Sequence, residues 1–306
     1  LEQDMGLLDL FAEALAREPE SGGFDPSGVV HELKQALETE VNFNFEKNAI
    51  DRIRTSFEGN TDVLIPGTHP EVSSREVLVM DWVEGISIGR VEVSGEVGHR
   101  IAQICAKSLF TMIFVHGQFH GDPHPSNLIL TPEGRVAWID FGLTGILTKE
   151  LRMRLSRMLK ALVSRDYEDL AQQVLHVGYC HGDADSFALT QSIANRLDPY
   201  VGLKLSEVDL PALLRCIIEI ATEHRIEIAS GFVRMTRSLV LLEGLTEILD
   251  PGFDTAGELE PLLVDLMQQK ASPDQLLRRT ADQALDNIEM LTDLPELVSE
   301  ALRKAT

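Results

Sequence analysis

The sequence predicts an α+β fold in which most of the chain is helical. The patterned segments come in the order helix, a little sheet, helix, β-hairpin and then an all-helical remainder. The strand-like runs are too few for a doubly wound parallel sheet. With 44% hydrophobic and 25% charged residues over 306 positions, the composition is that of a globular chain with one large domain or two unequal lobes.

Two helices and two short strands are predicted in the first part of the chain. The first helix covers residues 1–17. A longer helix runs from Asp25-Pro26-Ser27 to about Phe57, because apolar residues recur there at helical spacing. The strand-like runs are residues 63–65, which stop at a proline, and residues 76–80, which are followed by a glycine-containing segment.

A third helix and a β-hairpin follow. A strong helical pattern covers about residues 95–117. Residues 127–130 and 135–139 flank Thr131-Pro132-Glu133-Gly134, which predicts a hairpin with a glycine-ended turn. From Lys149 onward the chain is predicted to be helical almost without interruption. The predicted breaks lie near residues 178–185, residues 198–201, Pro211, Pro251-Gly252, Pro273 and Pro295.

Charge and cysteine content narrow the function classes. Lys and Arg number 27 against 49 Asp and Glu, so the formal charge of -22 predicts no nucleic-acid partner and repulsion from anionic headgroups over most of the surface. Cys105, Cys180 and Cys216 are widely spaced and form no C-x-x-C pair, which predicts buried thiols in a reducing, cytoplasmic compartment. The sequence has neither a signal peptide nor an apolar run of about 18 residues.

The most informative stretch is His120-Gly121-Asp122-Pro123-His124-Pro125-Ser126-Asn127, followed by Asp140-Phe141-Gly142. Two prolines and a glycine exclude a helix, so Asp122 and Asn127 are predicted to lie on a stiff, irregular loop. The hairpin turns the chain back and is expected to bring Asp140 beside Asn127. The alternative is that these residues only cap turns and end a strand.

An aspartate acceptor, an asparagine oxygen and a second carboxylate form a magnesium-phosphate site. Mg²⁺ prefers oxygen ligands and usually takes one or two carboxylates, which leaves room for phosphate. Asp122 is expected to accept the proton of an attacking hydroxyl or water. The D-x-x-x-x-N spacing, with His120 two residues before the aspartate and D-F-G 13 residues after the asparagine, is the protein-kinase catalytic-loop pattern.

These residues resemble the UbiB/AarF/ADCK family of atypical protein-kinase-like proteins, whose catalytic loop has the D-P-H-P-x-N form found at Asp122–Asn127. Residues 40–49 are similar to the family's E-x-D…E-x-x-N segment, with the last spacing one residue short. Residues 79–85 are similar to its hinge. The resemblance covers about residues 28–148 with strong motifs and continues to about residue 250 in helical character.

The resemblance implies a protein-kinase-like fold with a truncated N-lobe, made of a few strands and a long αC-like helix, and a large helical C-lobe. It divides the chain into a partial N-lobe over residues 1–82, a C-lobe with the catalytic loop over residues 83–250 and a C-terminal helical extension over residues 251–306. It implies ATP and Mg²⁺ as cofactors. The implied activity is that of a kinase or ATPase that supports ubiquinone or related prenyl-quinone biosynthesis. The implied partners are prenyl-lipid quinone precursors, quinone-biosynthesis proteins and a peripheral contact with the inner membrane.

Site roles carry over from the family position by position. Asp122 corresponds to the catalytic aspartate, and Asn127 and Asp140 correspond to the metal ligands. His120 is grouped with the catalytic residues and is expected to support the loop by hydrogen bonds. The backbone that meets adenine is expected to come from Met80, Asp81, Trp82 and Val83.

The family's nucleotide-positioning lysine has no counterpart in this sequence. Either Glu40 or Glu46 corresponds to the helix glutamate that pairs with it. No lysine precedes Lys34, which lies in the same predicted helix as Glu40 and cannot reach it from a strand. The missing strand is expected to precede Leu1, so the chain by itself is expected to bind nucleotide weakly or not at all and to be inactive. Asn42 also stands where the family has aspartate.

Two other functions stay open. A choline- or aminoglycoside-kinase-like phosphotransferase shares H-G-D-x-x-x-x-N and a downstream aspartate, although the Asp140-Phe141-Gly142 context and residues 40–49 favour the first family. A pseudokinase scaffold that binds lipid or a partner without turnover is the third alternative. The intact Asp122, Asn127 and Asp140 argue against it.

Overall fold

The computed structural model describes residues 42–91, 95–180, 185–200, 203 and 207–262 of the chain. The helix predicted over residues 1–17, the first part of the helix predicted over residues 25–57 and the breaks predicted at Pro273 and Pro295 lie outside these residues. The described part combines helices with short strands in three small sheets, which confirms the predicted α+β class.

Helix α1 (Phe43–Ser56) begins at an asparagine cap. Asn42 has extended backbone angles, and its side-chain oxygen accepts a 3.2 Å hydrogen bond from the Asn44 amide. The prediction of one helix running through this position is therefore wrong, because the Asn42 backbone is extended and its side chain caps the helix that begins at Phe43. The prediction also placed Lys34 and Glu40 on this helix; both lie outside the described residues.

Three sheets are built from short strands in the described part of the chain. The largest has the order β1-β5-β4-β2, with β1 parallel to β5 and the other pairs antiparallel. Strand β3 pairs antiparallel with β6, and β7 with β8. The strands are β1 (Val63–Leu64), β2 (Ile86–Ser87), β3 (Gln118–His120), β4 (Leu128–Leu130), β5 (Val136–Trp138), β6 (Thr144–Ile146), β7 (Gly178–Cys180) and β8 (Ile226–Ile228).

The predicted hairpin is confirmed and one predicted strand is wrong. Strands β4 and β5 pair, and Gly134 closes their turn with φ of 80°. Residues 76–80 form no strand, because Met80 makes only an isolated bridge to Thr68. The Ser73 hydroxyl accepts a 3.0 Å hydrogen bond from the Val79 amide, so a side chain replaces the strand partner there.

Helix α2 (Gly95–Phe110) continues as a π-helix over Thr111–His116, so the helix predicted over residues 95–117 is confirmed. The π-helical turn was not predicted. Cys105 on α2 is a fully buried free thiol, and burial raises its pKa to about 12. Cys216 is half-buried, so the prediction of buried thiols holds fully only for Cys105 of these two.

Five further helices form the C-terminal part of the described chain. Four of them begin at Thr148, Asp166, Asp185 or Asp209, whose side-chain oxygen accepts a hydrogen bond from an amide of the first turn. The five helices are α3 (Lys149–Ser164), α4 (Tyr167–Val177), α5 (Ser186–Leu197), α6 (Leu210–Glu223) and α7 (Ser230–Leu249).

Two details of this helical part differ from the prediction. Pro211 does not break a helix but occupies the first turn of α6, where its missing amide hydrogen leaves no helical bond unmade. The β7–β8 pair, which joins residues 178–180 to residues 226–228, was not predicted. Each of these strands has only three residues, which is too short for an alternating pattern to stand out.

One hydrophobic core connects the sheets and helices. Its largest fully buried side chains include Phe119, Trp138 and Phe141, all of which belong to the motif-bearing part of the chain. Within the described ranges, no helix is both long and apolar enough to cross a membrane. The lobe boundaries at residues 82/83 and 250/251 stay predictions.

Candidate active site

The segment with Asp122 and Asn127 and the segment Asp140-Phe141-Gly142 both join the same end of a two-stranded ribbon. Strands β3 and β6 pair with Phe119 opposite Gly145 and His120 opposite Thr144. The Gly121 amide extends this pairing by donating a 2.7 Å hydrogen bond to the Leu143 carbonyl. The loop that holds Asp122 therefore starts beside the chain that has just left Asp140-Phe141-Gly142.

Asp122 and Asn127 are held together across their loop. The Asn127 side-chain amide donates to the Asp122 carbonyl at 3.1 Å, and its nitrogen lies 3.5 Å from the Asp122 carboxylate. Residues 125–127 form a 3₁₀ turn capped by His124, whose Nδ1 accepts the Ser126 amide. The Ile139 amide donates a 3.0 Å hydrogen bond to the Asn127 carbonyl, which places Asn127 next to the residue preceding Asp140.

His120 lies under the site and is fully buried. Its Nδ1 accepts a 3.1 Å hydrogen bond from the Asp122 amide, so Nε2 carries the hydrogen that is donated to the Ile139 carbonyl at 3.0 Å. Its ring packs against Trp138 and Phe141 at centroid distances of 5.3 and 4.9 Å. Burial lowers the pKa of His120 below 6.5, so the ring is neutral near pH 7.

Asp140 has a left-handed backbone with φ of 60° and an exposed side chain. Its Oδ1 lies 3.4 Å from the Gly142 amide nitrogen, in a tight turn. Non-glycine residues in this conformation are uncommon and are concentrated at functional sites. The Asp140 carboxylate is thus held in a tight turn and is accessible from solvent.

Glu46 of α1 reaches this turn. Its Oε1 accepts a 3.0 Å hydrogen bond from the Phe141 amide. Burial raises the pKa of Glu46 above 4.5, the nearby Asp140 charge raises it further, and the hydrogen bond from Phe141 opposes both. Of the two glutamates that the sequence left open, the structure brings Glu46 to the site, while Glu40 lies outside the described residues.

The predicted hinge residues lie in the segment that leads to β2. Both carboxylate oxygens of Asp81 are occupied, one by the Gly67 amide and one by His69 Nε2, each at 2.9 Å. Met80, before Asp81, and Val83, after Trp82, are half-buried. Trp82 itself is 91% exposed.

A glycine brings the chain after the hinge onto the catalytic hairpin. A Cβ at Gly85 would lie 2.4 Å from the Leu130 carbonyl oxygen, and Gly85 has φ of 153°, so a side chain there would clash and strain the backbone. Two residues later, the Ser87 hydroxyl donates a 3.2 Å hydrogen bond to the Pro125 carbonyl. No motif in the sequence points to Ser87, because its partner Pro125 is 38 residues away.

The oxygen donors at the site fit a magnesium ion better than a soft metal. Asn127 offers a side-chain oxygen and Asp140 an exposed carboxylate, and Mg²⁺ is commonly held by one or two carboxylates together with substrate phosphates. The described residues contain no group of three or more His, Cys, Asp and Glu side chains arranged as metal ligands. A zinc-type site is therefore not formed by the described part.

Comparisons with known proteins identify the family and the fold. Residues 1–174 match the ABC1 atypical kinase-like domain, and residues 193–254 match the UbiB helical domain. Among solved structures, the Rv3197–erythromycin complex from Mycobacterium tuberculosis superimposes with a TM-score of 0.60 at 19% identity. It covers 84% of this chain and 66% of that one, and at this identity it supports the kinase-like fold alone.

Curated relatives are similar along nearly the whole chain. The probable protein kinases UbiB of Vibrio atlanticus and Aeromonas hydrophila are 26% and 28% identical, each over 99% of this chain and 57% of the relative. An uncharacterized protein of Synechocystis is 26% identical over 94% of this chain and 51% of its own length. This chain thus spans a little over half the length of these relatives. Because the ABC1 model matches more than half of its 306 residues, the chain belongs to the ABC1 atypical kinase-like family.

Proposed function

We propose that this chain carries the phosphoryl-transfer centre of a UbiB-type, Mg-ATP-dependent kinase or ATPase. The observation that carries the proposal is the convergence of Asp122, Asn127 and Asp140 at one end of the β3–β6 ribbon, joined by the hydrogen bond from Ile139 to Asn127. The relatives named protein kinases support the same class.

Each residue has a role that its surroundings support. Asp122, half-buried and next to the Asn127 amide, accepts the proton of the attacking hydroxyl or water. Asn127 and Asp140 hold Mg²⁺, which when bound offsets charge on the transferred phosphoryl group. His120 positions the Asp122 loop through its two backbone hydrogen bonds and transfers no proton itself, because it is fully buried.

The remaining roles concern the nucleotide. Glu46, on the helix that faces the Asp140 turn, is the glutamate that meets the nucleotide-positioning lysine. The backbone of residues 80–83 meets adenine, with the side chain of Asp81 fixing the segment through Gly67 and His69. In the cell, we propose a role for the protein in ubiquinone or related prenyl-quinone biosynthesis, in the cytoplasm and in peripheral contact with the inner membrane. This part of the proposal is supported only by the match to the ABC1 atypical kinase-like family and by the relatives named probable protein kinase UbiB.

Mg-ATP binding to the natural protein tests the proposal. At about 100 times Kd the nucleotide is expected to stabilise the wild type by about 2.7 kcal/mol, a Tm increase of roughly 4 °C. Asp140→Asn removes a metal-binding charge and is expected to abolish the shift. Glu133→Gln, an equal charge change at the exposed hairpin turn, is expected to keep it. A wild type without any shift contradicts the nucleotide assignment.

Complementation tests the biosynthetic role separately. The wild type and Glu133→Gln are expected to restore quinone production in a quinone-deficient strain, and Asp122→Asn is expected to fail because it lacks the proton acceptor. Restoration by Asp122→Asn would instead support the scaffold alternative. Phosphorylation of a soluble amino alcohol or aminoglycoside by the purified protein would support the small-molecule kinase alternative.

A further inference from the structure

The joint between the π-helix and β3 lies directly behind the catalytic loop. The π-helix ends where the Gly117 amide donates a 2.8 Å hydrogen bond to the Met112 carbonyl, and Gly117 turns the chain with φ of 75°. The last carbonyls of any helix lack partners within the helix and need other donors. The chain reaches Asp122 only five residues beyond this turn.

Arg152 of α3 supplies those donors. Its Nη1 donates to the Phe114 carbonyl at 3.2 Å and to the adjacent Val115 carbonyl. A guanidinium is suited to this place because it keeps its positive charge at neutral pH and presents several donors in a rigid plane, and cations are favourable at the C-terminus of a helix. Helix α3 is thereby attached to the end of the helix that leads into the catalytic loop.

The joint is tightly packed. A Cβ at Gly117 would lie 2.7 Å from Arg152 Nε and 2.6 Å from the Leu147 carbonyl oxygen, so only glycine allows the guanidinium this close. The Leu147 amide in turn donates a 2.7 Å hydrogen bond to the Gly117 carbonyl. Strand β3 thus has a fixed start at Gly117, and its other end is fixed by His120.

Arg152 is positively charged at this joint, and His116 beside it is neutral. Burial lowers the pKa of the Arg152 guanidinium, which is still protonated at neutral pH. Burial, together with the charge of Arg152, lowers the pKa of His116, so that ring is neutral. The His116 ring contacts Phe57, at the end of α1, with ring centroids 5.8 Å apart.

We propose that Arg152 is a positioning residue for the phosphoryl-transfer centre, fixing the direction in which β3 leaves the π-helix and hence the position of Asp122. This rests on the proposed function. The three-residue strand β3 has one neighbouring strand, so its position depends strongly on the contacts at its start, where the Leu147 amide bonds Gly117 and Arg152 bonds the end of the π-helix. Misplacing a catalytic group by about 1 Å can reduce the rate roughly 100-fold. Arg152 is therefore expected to affect turnover more than nucleotide binding.

The test compares Arg152→Met, which keeps the side-chain bulk, with Arg154→Met two residues along α3, where the guanidinium pairs with Glu150. The natural protein is used, well below the Tm of every variant. We expect Arg152→Met to lower kcat for ATP roughly 10- to 100-fold with Kd for Mg-ATP within about threefold. Arg154→Met is expected to change kcat by less than about twofold.

Hydrogen exchange gives a readout that does not depend on activity. Arg152→Met is expected to speed exchange of the Gly117–Asp122 amides by roughly tenfold or more while leaving the α7 amides unchanged. Arg152→Lys, which keeps the charge, is the second variant if Arg152→Met does not fold, and is expected to show a smaller effect of the same kind. Exchange that is unchanged at Gly117–Asp122, or raised equally along the chain, overturns the proposal. A wild type that neither binds nor hydrolyses ATP overturns the proposed function, and the exchange result still decides whether Arg152 fixes β3.

Discussion

Replacing His120 with phenylalanine isolates the hydrogen bonds that hold the catalytic loop. Phenylalanine keeps an aromatic ring beside Trp138 and Phe141 but can neither donate to the Ile139 carbonyl nor accept from the Asp122 amide. Each backbone group left unpaired in the interior costs about 1–3 kcal/mol. We therefore expect His120→Phe to lower the free energy of unfolding by about 2–6 kcal/mol at neutral pH.

The pH dependence of this loss identifies its cause. Because the pKa of His120 in the folded protein is below 6.5, the unfolded chain binds a proton that the folded protein does not as pH falls through 6.5. The stabilisation by His120 is thus complete above pH 6.5 and declines as pH falls toward the lowered pKa. Urea denaturation at about pH 7.5 and about pH 5.5 measures it. The difference in the free energy of unfolding between the wild type and His120→Phe is expected to be larger at the higher pH.

An exposed histidine provides the control. His176→Phe, on the exposed side of α4, is expected to change the free energy of unfolding by less than about 0.5 kcal/mol. Two results would contradict the assignment of His120 as a neutral ring with two backbone hydrogen bonds. One is a His120→Phe variant as stable as the wild type. The other is a difference in the free energy of unfolding that does not become smaller at the lower pH.

Two further substitutions test the packing and the charge around the site. Gly145→Ala would place a Cβ 2.0 Å from Phe119 Cζ, so it is expected to lower the free energy of unfolding by about 1–3 kcal/mol in urea denaturation. Gly244 is exposed on α7, and a Cβ there would have no atom within 4 Å, so Gly244→Ala is expected to raise the free energy of unfolding by about 0.5–1 kcal/mol. Equal effects of the two substitutions would contradict the close packing of Phe119. Glu46→Gln keeps an acceptor for the Phe141 amide and removes a negative charge that the folded protein disfavours. The variant is therefore expected to have a higher free energy of unfolding than the wild type at neutral pH. This difference is expected to vanish as pH falls to 4.5, because the Glu46 carboxyl of the wild type becomes protonated. An advantage that does not depend on pH would exclude that cause.

The features that the sequence predicts well are those set by neighbouring residues. The turn Thr131-Pro132-Glu133-Gly134 determines the β4–β5 hairpin, and the hairpin brings Asp140 back to Asn127. The two prolines of the catalytic loop likewise exclude an α-helix between Asp122 and Asn127 without any tertiary contact, and the structure has only a 3₁₀ turn at residues 125–127.

The features that escaped prediction depend on distant partners or on one side chain. The helical pattern of the sequence continues through Asn42, yet its backbone is extended and its side chain caps the helix that begins at Phe43. Ser73 turns an apolar run that reads as a strand into a loop. Arg152 reads as one of several basic residues on α3, and its role at the carbonyls of residues 114 and 115 depends on how the chain folds back over 37 residues.

The metal contact of Asn127 is the most direct measure of the central claim. In the natural protein, adding ATP with Mn²⁺ in place of Mg²⁺ is expected to broaden the side-chain amide NMR signals of Asn127 beyond detection, since a paramagnetic ion would lie at its Oδ1. Asp140→Asn is expected to keep the signals sharp. Sharp Asn127 signals in a wild type that has bound the nucleotide and the manganese would contradict the assignment of Asn127 and Asp140 as the metal site.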